Sequence, residues 1–175
     1  MVTMTRRRPL GEEYFPPLLR VLYQAFIDRV HVELAAAGYP EFRPTHGLVF
    51  QHLRDEGSRV TDLAERSHIS KQWMGALVDD LVARGYVSRL PDPTDGRARI
   101  VRLTDEGRAL LRVAQDISRR IEAEWAAQVG ERHWHQLRRG LEDAILRLGL
   151  SAPSTERHVP PASRRIGDGM TPSAS

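Results

Sequence analysis

Apolar residues recur at helical spacing along most of this chain. Near its start they lie three or four positions apart and so share one face of a helix that ends at Gly38: Phe15, Leu19, Leu22, Phe26 and Val30. A second helix is predicted from Pro44, which suits a first helical turn, to Gly57. Two longer helices are predicted later in the chain, one from Thr104 to Gly130 and one after it. The pattern therefore predicts a mainly helical protein.

The middle of the chain carries two short helices followed by a change of period. Thr61 is the predicted N-cap of the first short helix, and Ser70 is the predicted N-cap of the second. Apolar and polar residues then alternate, which predicts strands at residues 86–90 and 97–103. The residues between them, 91–96, have the composition of a turn. Two short helices followed by a β-hairpin make the order of a winged helix-turn-helix.

The predicted fold class is mainly α with a small β-hairpin wing. The winged helix-turn-helix is assigned to residues 43–104, and the helical dimerisation region that flanks it to residues 13–38 and 105–150. The first and last two helices carry apolar stripes too broad for a central unit of about 60 residues to cover, so a second copy is expected to bury them. Residues 1–12 are predicted to form a mobile basic arm, and residues 151–175 a disordered tail.

Composition narrows the possible functions. The 175 residues are 41% hydrophobic and 28% charged, which is ordinary for a soluble globular protein, and no apolar run is long enough to cross a membrane. We therefore expect a cytoplasmic protein. The absence of cysteine excludes disulfides and thiolate metal sites, and the net charge of +3 is compatible with a polyanionic partner.

Catalytic and metal-binding motifs are also missing from the sequence. It contains no GxSxG, P-loop, GxGxxG or HExxH motif. His133 and His135 point in different directions on a helix and cannot share one ion. We expect neither an enzyme, a metal site nor a cofactor.

The second short helix is the predicted recognition helix. Lys71 and Gln72, near its start, can address base edges or phosphates in the major groove. Gly75 and Ala76 carry little side chain and permit close approach to DNA. The helix N-terminus at Ser70 can face a phosphate.

The hairpin is the second predicted DNA element. Arg97, near its tip, suits an A·T-rich minor groove, and Asp95 is expected to hold its guanidinium. Arg89 and Arg99 have two open interpretations. They either contact DNA or form ion pairs within the hairpin with Asp92 and Asp95.

These central residues resemble those of MarR-type regulators. The likeness is specific over residues 60–107 and rests on two sets of residues: Ile69-Ser70-Lys71-Gln72, Leu77-Val78-Asp79-Asp80-Leu81, Gly85-Tyr86-Val87 and Arg89 in the recognition-helix region, and Asp92-Pro93-Thr94-Asp95-Gly96-Arg97, Leu103-Thr104 and Gly107 in the wing. The resemblance implies a homodimer that straddles a pseudo-palindromic operator, with Arg97 as the wing arginine. Family members often carry a polar or basic side chain where this chain has Gly75 and Ala76. Base readout is therefore expected to depend on Lys71 and Gln72, or on DNA shape.

The resemblance further implies a response to small aromatic effectors bound between the dimerisation and DNA-binding parts. Four aromatic residues are candidates for that site, with core or dimer packing as the alternative: Tyr14, Phe15, Phe50 and Trp125. The leading hypothesis is a ligand-responsive repressor. Two other hypotheses remain, a winged-helix protein–protein interaction module and a nonspecific architectural DNA binder.

Overall fold

The computed structural model describes residues 15–150, and their order of elements confirms the predicted fold class. Helices make up most of this part of the chain, and a single antiparallel hairpin lies between the fourth and fifth of them: α1 Phe15–Ala36, a 3-10 turn Pro44–His46, α2 Gly47–His52, α3 Val60–Arg66, α4 Lys71–Ala83, β1 Val87–Asp92, β2 Asp95–Leu103, α5 Asp105–Val129 and α6 Glu131–Arg147. The predicted N-terminal arm, the predicted tail and Tyr14 lie outside the described residues.

The second predicted helix is shorter than the sequence suggests. After the 3-10 turn, α2 ends at His52 instead of continuing to Gly57, and Leu53 has an extended backbone. The chain leaves the helix there because Ser58 pairs with Val101 of β2 through two backbone hydrogen bonds of 2.8 and 3.0 Å. Gly57 makes the approach possible with a φ of +105°, a conformation that suits glycine.

The predicted N-cap of α3 is wrong. The helix begins at Val60, so Arg59 is the N-cap residue, and Arg59 makes no side-chain capping hydrogen bond. Thr61 lies inside the first turn, where its hydroxyl donates to the Asp62 carboxylate at 3.3 Å. The first turn of α3 therefore has no side-chain cap.

The hairpin turn is tighter than predicted. The strands continue through Asp92 and resume at Asp95, which leaves only residues 93 and 94 in the turn. Val87 opposes Leu103 at the base of the hairpin, and the regular register is interrupted between Pro91 and Asp92. This wing projects beside α4, which contacts β1.

The hydrophobic core lies under the helix-turn-helix and extends to parts of α1 and α5. Its fully buried large side chains come from every one of these elements: Leu34, Leu53, Leu63, Met74, Leu81, Val101, Leu110 and Ile121. In contrast, no residue of α6 is buried, and apolar residues at the start of α1 are exposed. Among residues 15–150, no helix is long and apolar enough to cross a membrane.

Candidate nucleic-acid interface

The two helices of the helix-turn-helix are α3 and α4. Ala64 is buried where the helices pack, as its small size predicts, and Ile69 packs against the core from the turn between them. Ser70 is the N-cap of α4, as predicted, and its hydroxyl accepts a hydrogen bond from the Trp73 amide at 3.2 Å. The Met74 amide bonds to the Ser70 carbonyl, which leaves the amides of Lys71 and Gln72 directed out of the helix end.

A shallow, open groove separates α4 from the wing. It is lined by the predicted recognition-helix and wing residues, together with one residue from α3: Lys71, Gln72, Gly75, Arg89, Arg99 and Val60. Five of the eight predicted DNA-contacting residues therefore line the same surface. The structure brings them together although up to 28 residues separate them in the sequence.

The other three predicted residues surround this groove. Ala76 is exposed on α4, one residue beyond Gly75. Ser70 stands at the N-terminal end of the same helix. Arg97 is exposed near the tip of the wing, two positions along β2 from Arg99 and so on the same face of the strand.

The expected contact between Asp95 and the Arg97 guanidinium is replaced by a backbone contact. The Arg97 amide donates to the Asp95 carboxylate at 3.2 Å. The second oxygen of Asp95 lies 3.6 Å from a guanidinium nitrogen of Arg59. The carboxylate therefore fixes the main chain at Arg97 and leaves the arginine side chain available.

The ion pairs suggested between the wing arginines and Asp92 or Asp95 are wrong, because the described residues pair with other partners. Arg89 pairs with Asp79 of α4 at 2.5 Å, so it links the wing to the recognition helix. Asp92 pairs with Arg59, which precedes α3. Within residues 15–150, no carboxylate forms an ion pair with Lys71, Arg97 or Arg99. These three cations can therefore neutralise phosphates without first breaking an internal pair.

Two residues near this groove, although not in its lining, have no signal in the sequence that marks them. Trp73 is 46% exposed on the first turn of α4, where an apolar residue at helical spacing would ordinarily be assigned to the core. Arg59 was overlooked because Thr61 is the better N-cap by residue type. Only the contact of Arg59 with Asp92, 33 residues away, reveals its position.

A buried histidine connects the 3-10 turn to the recognition helix. His46 is fully buried, and its Nδ1 accepts a hydrogen bond from the Arg43 amide at 3.1 Å. The proton therefore resides on Nε2, which donates to the Asp80 carboxylate at 2.8 Å. Burial lowers the pKa of His46, despite the opposing effect of Asp80. Hydrogen bonds from Arg84, Arg43 and His46 lower the pKa of Asp80 to about 2.

The aromatic residues predicted for an effector site lie in separate environments. Phe50 is buried and packs edge-on against Phe42, with ring centroids 5.2 Å apart. Trp125 packs against Phe26 of α1 and Trp134 of α6. Phe15 is exposed at the start of α1. Over residues 15–150, no cluster of three or more potential metal ligands occurs.

Comparison with known proteins identifies the central unit. Residues 42–98 match the model of the MarR family. No curated protein matches the sequence. The resemblance of the winged helix-turn-helix to MarR-type regulators is therefore confirmed, and the match supports a DNA-binding transcriptional regulator.

Solved structures extend the likeness to most of the described chain. RV1404 from Mycobacterium tuberculosis is 23% identical, with a TM-score of 0.62 over 81% of this chain and 99% of that one. The apo form of MarR from E. coli is 18% identical, with a TM-score of 0.65 over 77% and 99%. The transcriptional regulator Tm0710 from Thermotoga maritima is 20% identical, with a TM-score of 0.55 over 77% and 98%. At these identities the structures share the fold, including the helices on both sides of the wing.

Proposed function

We propose that this MarR-type winged helix-turn-helix protein is a sequence-specific regulator that binds its operator as a homodimer. In this proposal α4 enters the major groove and the wing reaches the adjacent minor groove. One observation carries the proposal: the groove between α4 and the wing gathers Lys71, Gln72, Arg89 and Arg99 on one open surface.

Each residue of this surface has a distinct part in the proposal. Lys71 and Gln72 read base edges from the first turn of α4, where long polar side chains can reach the major groove. Gly75 and Ala76 let the helix backbone approach the bases closely. Arg97 enters the minor groove, whose negative potential attracts an unpaired guanidinium.

The remaining contacts are proposed for the phosphates. Arg99 carries a charge that no described carboxylate neutralises, whereas the charge of Arg89 is shared with Asp79. The amides at the start of α4 add a partial positive charge at Ser70. Phosphate contacts of this kind orient a protein on the duplex without reading its sequence.

A second copy of the chain is proposed to cover the exposed apolar residues of α1 and α6. Leu148, directly after α6, is 72% exposed, and Phe15, at the start of α1, is 60% exposed. Large exposed apolar side chains of this kind often mark an interaction surface. A two-fold symmetric pair would carry two α4 helices, and these can read half-sites about one DNA turn apart. The operator should then be a pseudo-palindrome.

The sign of regulation and the effector are proposed from the resemblance to MarR-type regulators alone. A ligand-responsive repressor is the form that the resemblance favours, with a small aromatic molecule as its effector. Such a molecule would act by changing the spacing of the two α4 helices. Competition of candidate aromatic acids and phenols with bound operator DNA tests this part separately.

A protein–protein interaction module is the second candidate. Gly75 and Ala76 give α4 little polar surface, and the exposed indole of Trp73 is of the residue type that anchors protein interfaces. This function predicts weak DNA binding with no preference for sequence.

Selection from a library of random-sequence duplexes distinguishes the two candidates. A regulator should enrich an inverted repeat whose half-sites are centred about one helical turn apart. The variant with Lys71→Ala and Gln72→Ala should enrich a weaker or altered motif, because these residues read the bases. A library that remains random after repeated rounds would contradict the proposed function.

A further inference from the structure

Arg59 occupies the N-cap of α3 without capping it. Serine, threonine, aspartate and asparagine favour this position because their side chains accept a hydrogen bond from the first turn. An arginine can only donate, and the described α3 has no side-chain cap. The Arg59 side chain instead extends to the wing, where it meets a carboxylate 33 residues away.

That carboxylate belongs to Asp92, which is only 7% exposed at the end of β1. One oxygen of Asp92 accepts from the Arg59 Nε at 2.7 Å and lies 2.6 Å from a terminal nitrogen of the same guanidinium. The other oxygen accepts from the Thr94 amide at 2.8 Å and from the Thr94 hydroxyl at 2.6 Å. Asp92 therefore closes the hairpin turn with one oxygen and attaches it to α3 with the other.

The same guanidinium also reaches the opposite side of the turn. A terminal nitrogen of Arg59 lies 3.6 Å from the Asp95 carboxylate, whose other oxygen accepts from the Arg97 amide. A continuous set of polar contacts thus joins the start of α3 to the backbone of the exposed wing arginine. β1 and β2 alone would leave the tip of a two-stranded hairpin free to bend.

We propose that Arg59 is a positioning residue that fixes the wing, and with it Arg97, relative to the recognition helix. The inference rests on the proposed function, because it assumes that the wing contacts DNA. By holding the tip before DNA arrives, Arg59 lowers the cost of ordering the wing when the complex forms. Because Arg59 makes this contact from the N-cap position, the first turn of α3 has no side-chain cap.

The removal of a negative charge provides the sharpest test. Asp92→Asn takes one negative charge away from a DNA-binding wing, so simple electrostatics predicts tighter binding. If Asp92 and Arg59 position the wing, the same substitution must weaken binding, because the neutral amide holds the guanidinium less firmly. Electrostatics alone thus predicts that Asp92→Asn raises the affinity for DNA, whereas positioning of the wing predicts that it lowers the affinity.

The experiment measures the affinity of the full chain for the enriched duplex by fluorescence anisotropy. Asp92→Asn and Arg59→Thr should each weaken binding by about tenfold or more, the effect of losing one well-placed arginine contact. Threonine is a good N-cap, so Arg59→Thr compensates α3 and should remain folded by circular dichroism. Arg54→Thr is the control, because it removes the same charge from the same loop, where Arg54 lies near Glu56 rather than the wing.

A double-mutant cycle with Arg97 separates positioning from a direct phosphate contact. If Arg59 acts through the wing arginine, Arg59→Thr should have little further effect once Arg97→Ala is present. Additive losses, or tighter binding by Asp92→Asn, would show that Arg59 touches DNA itself and would overturn the inference. If Asp92→Asn does not fold, Arg59→Lys replaces it, since lysine keeps the charge but cannot span both carboxylates.

Failure of the inference differs from failure of the proposed function. A wild-type chain that binds enriched and shuffled duplexes equally well would contradict the function. A selective wild-type chain whose Arg59 and Asp92 variants bind as tightly as it does would contradict only the role of Arg59.

Discussion

Asp79 and Asp80 are adjacent in α4, yet their carboxylates make unrelated contacts. Consecutive helical side chains point about 100° apart, and here one turns to the wing while the other turns to the preceding 3-10 turn. Asp79 pairs with Arg89 at 2.5 Å, whereas Asp80 receives His46 at 2.8 Å and Arg84 at 3.1 Å. Each carboxylate is therefore held in its own ion pair, and the two acids do not meet at one site.

The His46 contact predicts a loss of stability in mild acid. Burial lowers the pKa of His46 in the folded state, so the unfolded chain takes up a proton first, as pH falls below about 6.5. Proton uptake by the unfolded state lowers the free energy of unfolding. Protonation of Asp80 lowers the free energy of unfolding further, but only between about pH 4 and pH 2, because the pKa of Asp80 in the folded state is lowered to about 2.

Urea denaturation at pH 7 and pH 5 measures this effect. His46→Gln keeps a donor and an acceptor but cannot protonate, so its free energy of unfolding should change less between the two pH values than that of the wild type. His133→Gln, at an exposed position of α6, makes the same exchange of residue type away from Asp80 and is the matched control. Equal pH dependence in wild type and His46→Gln would mean that His46 does not titrate on unfolding.

Arg97 has the clearest predicted effect on DNA binding. Arg97→Ala should weaken binding to the enriched duplex by about tenfold. The loss of two cations per dimer from the DNA surface should release fewer counterions and lower the log–log salt slope by up to about 2. Arg119→Ala is the control, since Arg119 lies on α5 and pairs with Asp116. Anisotropy titrations at several salt concentrations give both quantities, and an unchanged slope would exclude Arg97 from the interface.

Residue type and spacing sufficed to place most of the groove residues at the start of α4 and on the wing. Lys71, Gln72 and Gly75 follow a recognisable cap at Ser70, so their position at the groove could be inferred locally. The partner of Asp92 could not, because Arg59 reaches it only through the packing of α3 beside the hairpin. Local patterns indicate which residues are exposed, whereas tertiary contacts decide which charges are already paired.

At the scale of elements, hydrogen bonds of Thr104 hold the base of the wing against α5. The Thr104 hydroxyl accepts from the Gly107 amide at 3.0 Å and donates to the Gly85 carbonyl at 2.6 Å. The Thr104 amide also donates to the Tyr86 carbonyl at 3.1 Å. The first turn of α5 consequently lies directly against the residue that precedes β1.

Gly107 should be irreplaceable at this contact, although alanine is the better helix former. A Cβ at Gly107 would lie 2.0 Å from the Tyr86 carbonyl oxygen, which Thr104 already holds in place. We expect Gly107→Ala to lower the free energy of unfolding by about 2 kcal/mol or more, as overpacking does.

Gly47→Ala is the matched control, because nothing lies within 4 Å of a Cβ at that helical position. It should leave the stability unchanged or raise it by up to about 1 kcal/mol. Chemical denaturation of both variants tests the comparison. A Gly107→Ala variant as stable as Gly47→Ala would contradict the close packing of α5 on the wing.

The helix ends differ in how far local sequence determines them. The N-cap of α4 at Ser70 and the start of α5 at Thr104 follow from the sequence, because Ser70 and Thr104 each accept a hydrogen bond within their own helix and such capping is local. The ends of α2 and the start of α3 were missed, since the chain there is shaped by the pairing of Ser58 with Val101. A two-residue bridge to a distant strand leaves no periodic signal in the sequence.

At the scale of the whole molecule, the described chain has a buried hydrophobic core, while large apolar side chains at the start of α1 and at the end of α6 are exposed. One hydrophobic core joins the helix-turn-helix and the wing to α1 and α5, whereas α6 contributes no buried residue and packs mainly against α5. Its stripe of Leu137 and Leu148 remains accessible. A second copy is the simplest occupant in the proposed homodimer, because the stripe continues the helices that a MarR-type resemblance assigns to dimerisation.

Charged substitutions in that stripe should therefore separate the protomers. The variant with Leu137→Glu and Leu148→Glu should sediment as a monomer and bind operator DNA at least about tenfold more weakly, because two half-sites are no longer read together. Gln136→Glu, on the exposed side of α6, adds a charge without touching the stripe and should remain dimeric. A wild-type chain that sediments as a monomer would contradict the proposed dimer.

Sequence-specific DNA binding by this chain can be measured in a single pair of anisotropy titrations. The wild-type chain is titrated at about 0.15 M salt into the enriched duplex and into a shuffled duplex of equal length and composition. We expect a preference of about 10³ or more for the enriched duplex, which is the lower end of the range for specific regulators. Equal affinity for both duplexes would contradict sequence-specific binding. In that case, a steep dependence of the affinity on salt would indicate an architectural DNA binder. Weak binding at all salt concentrations would indicate a protein interaction module.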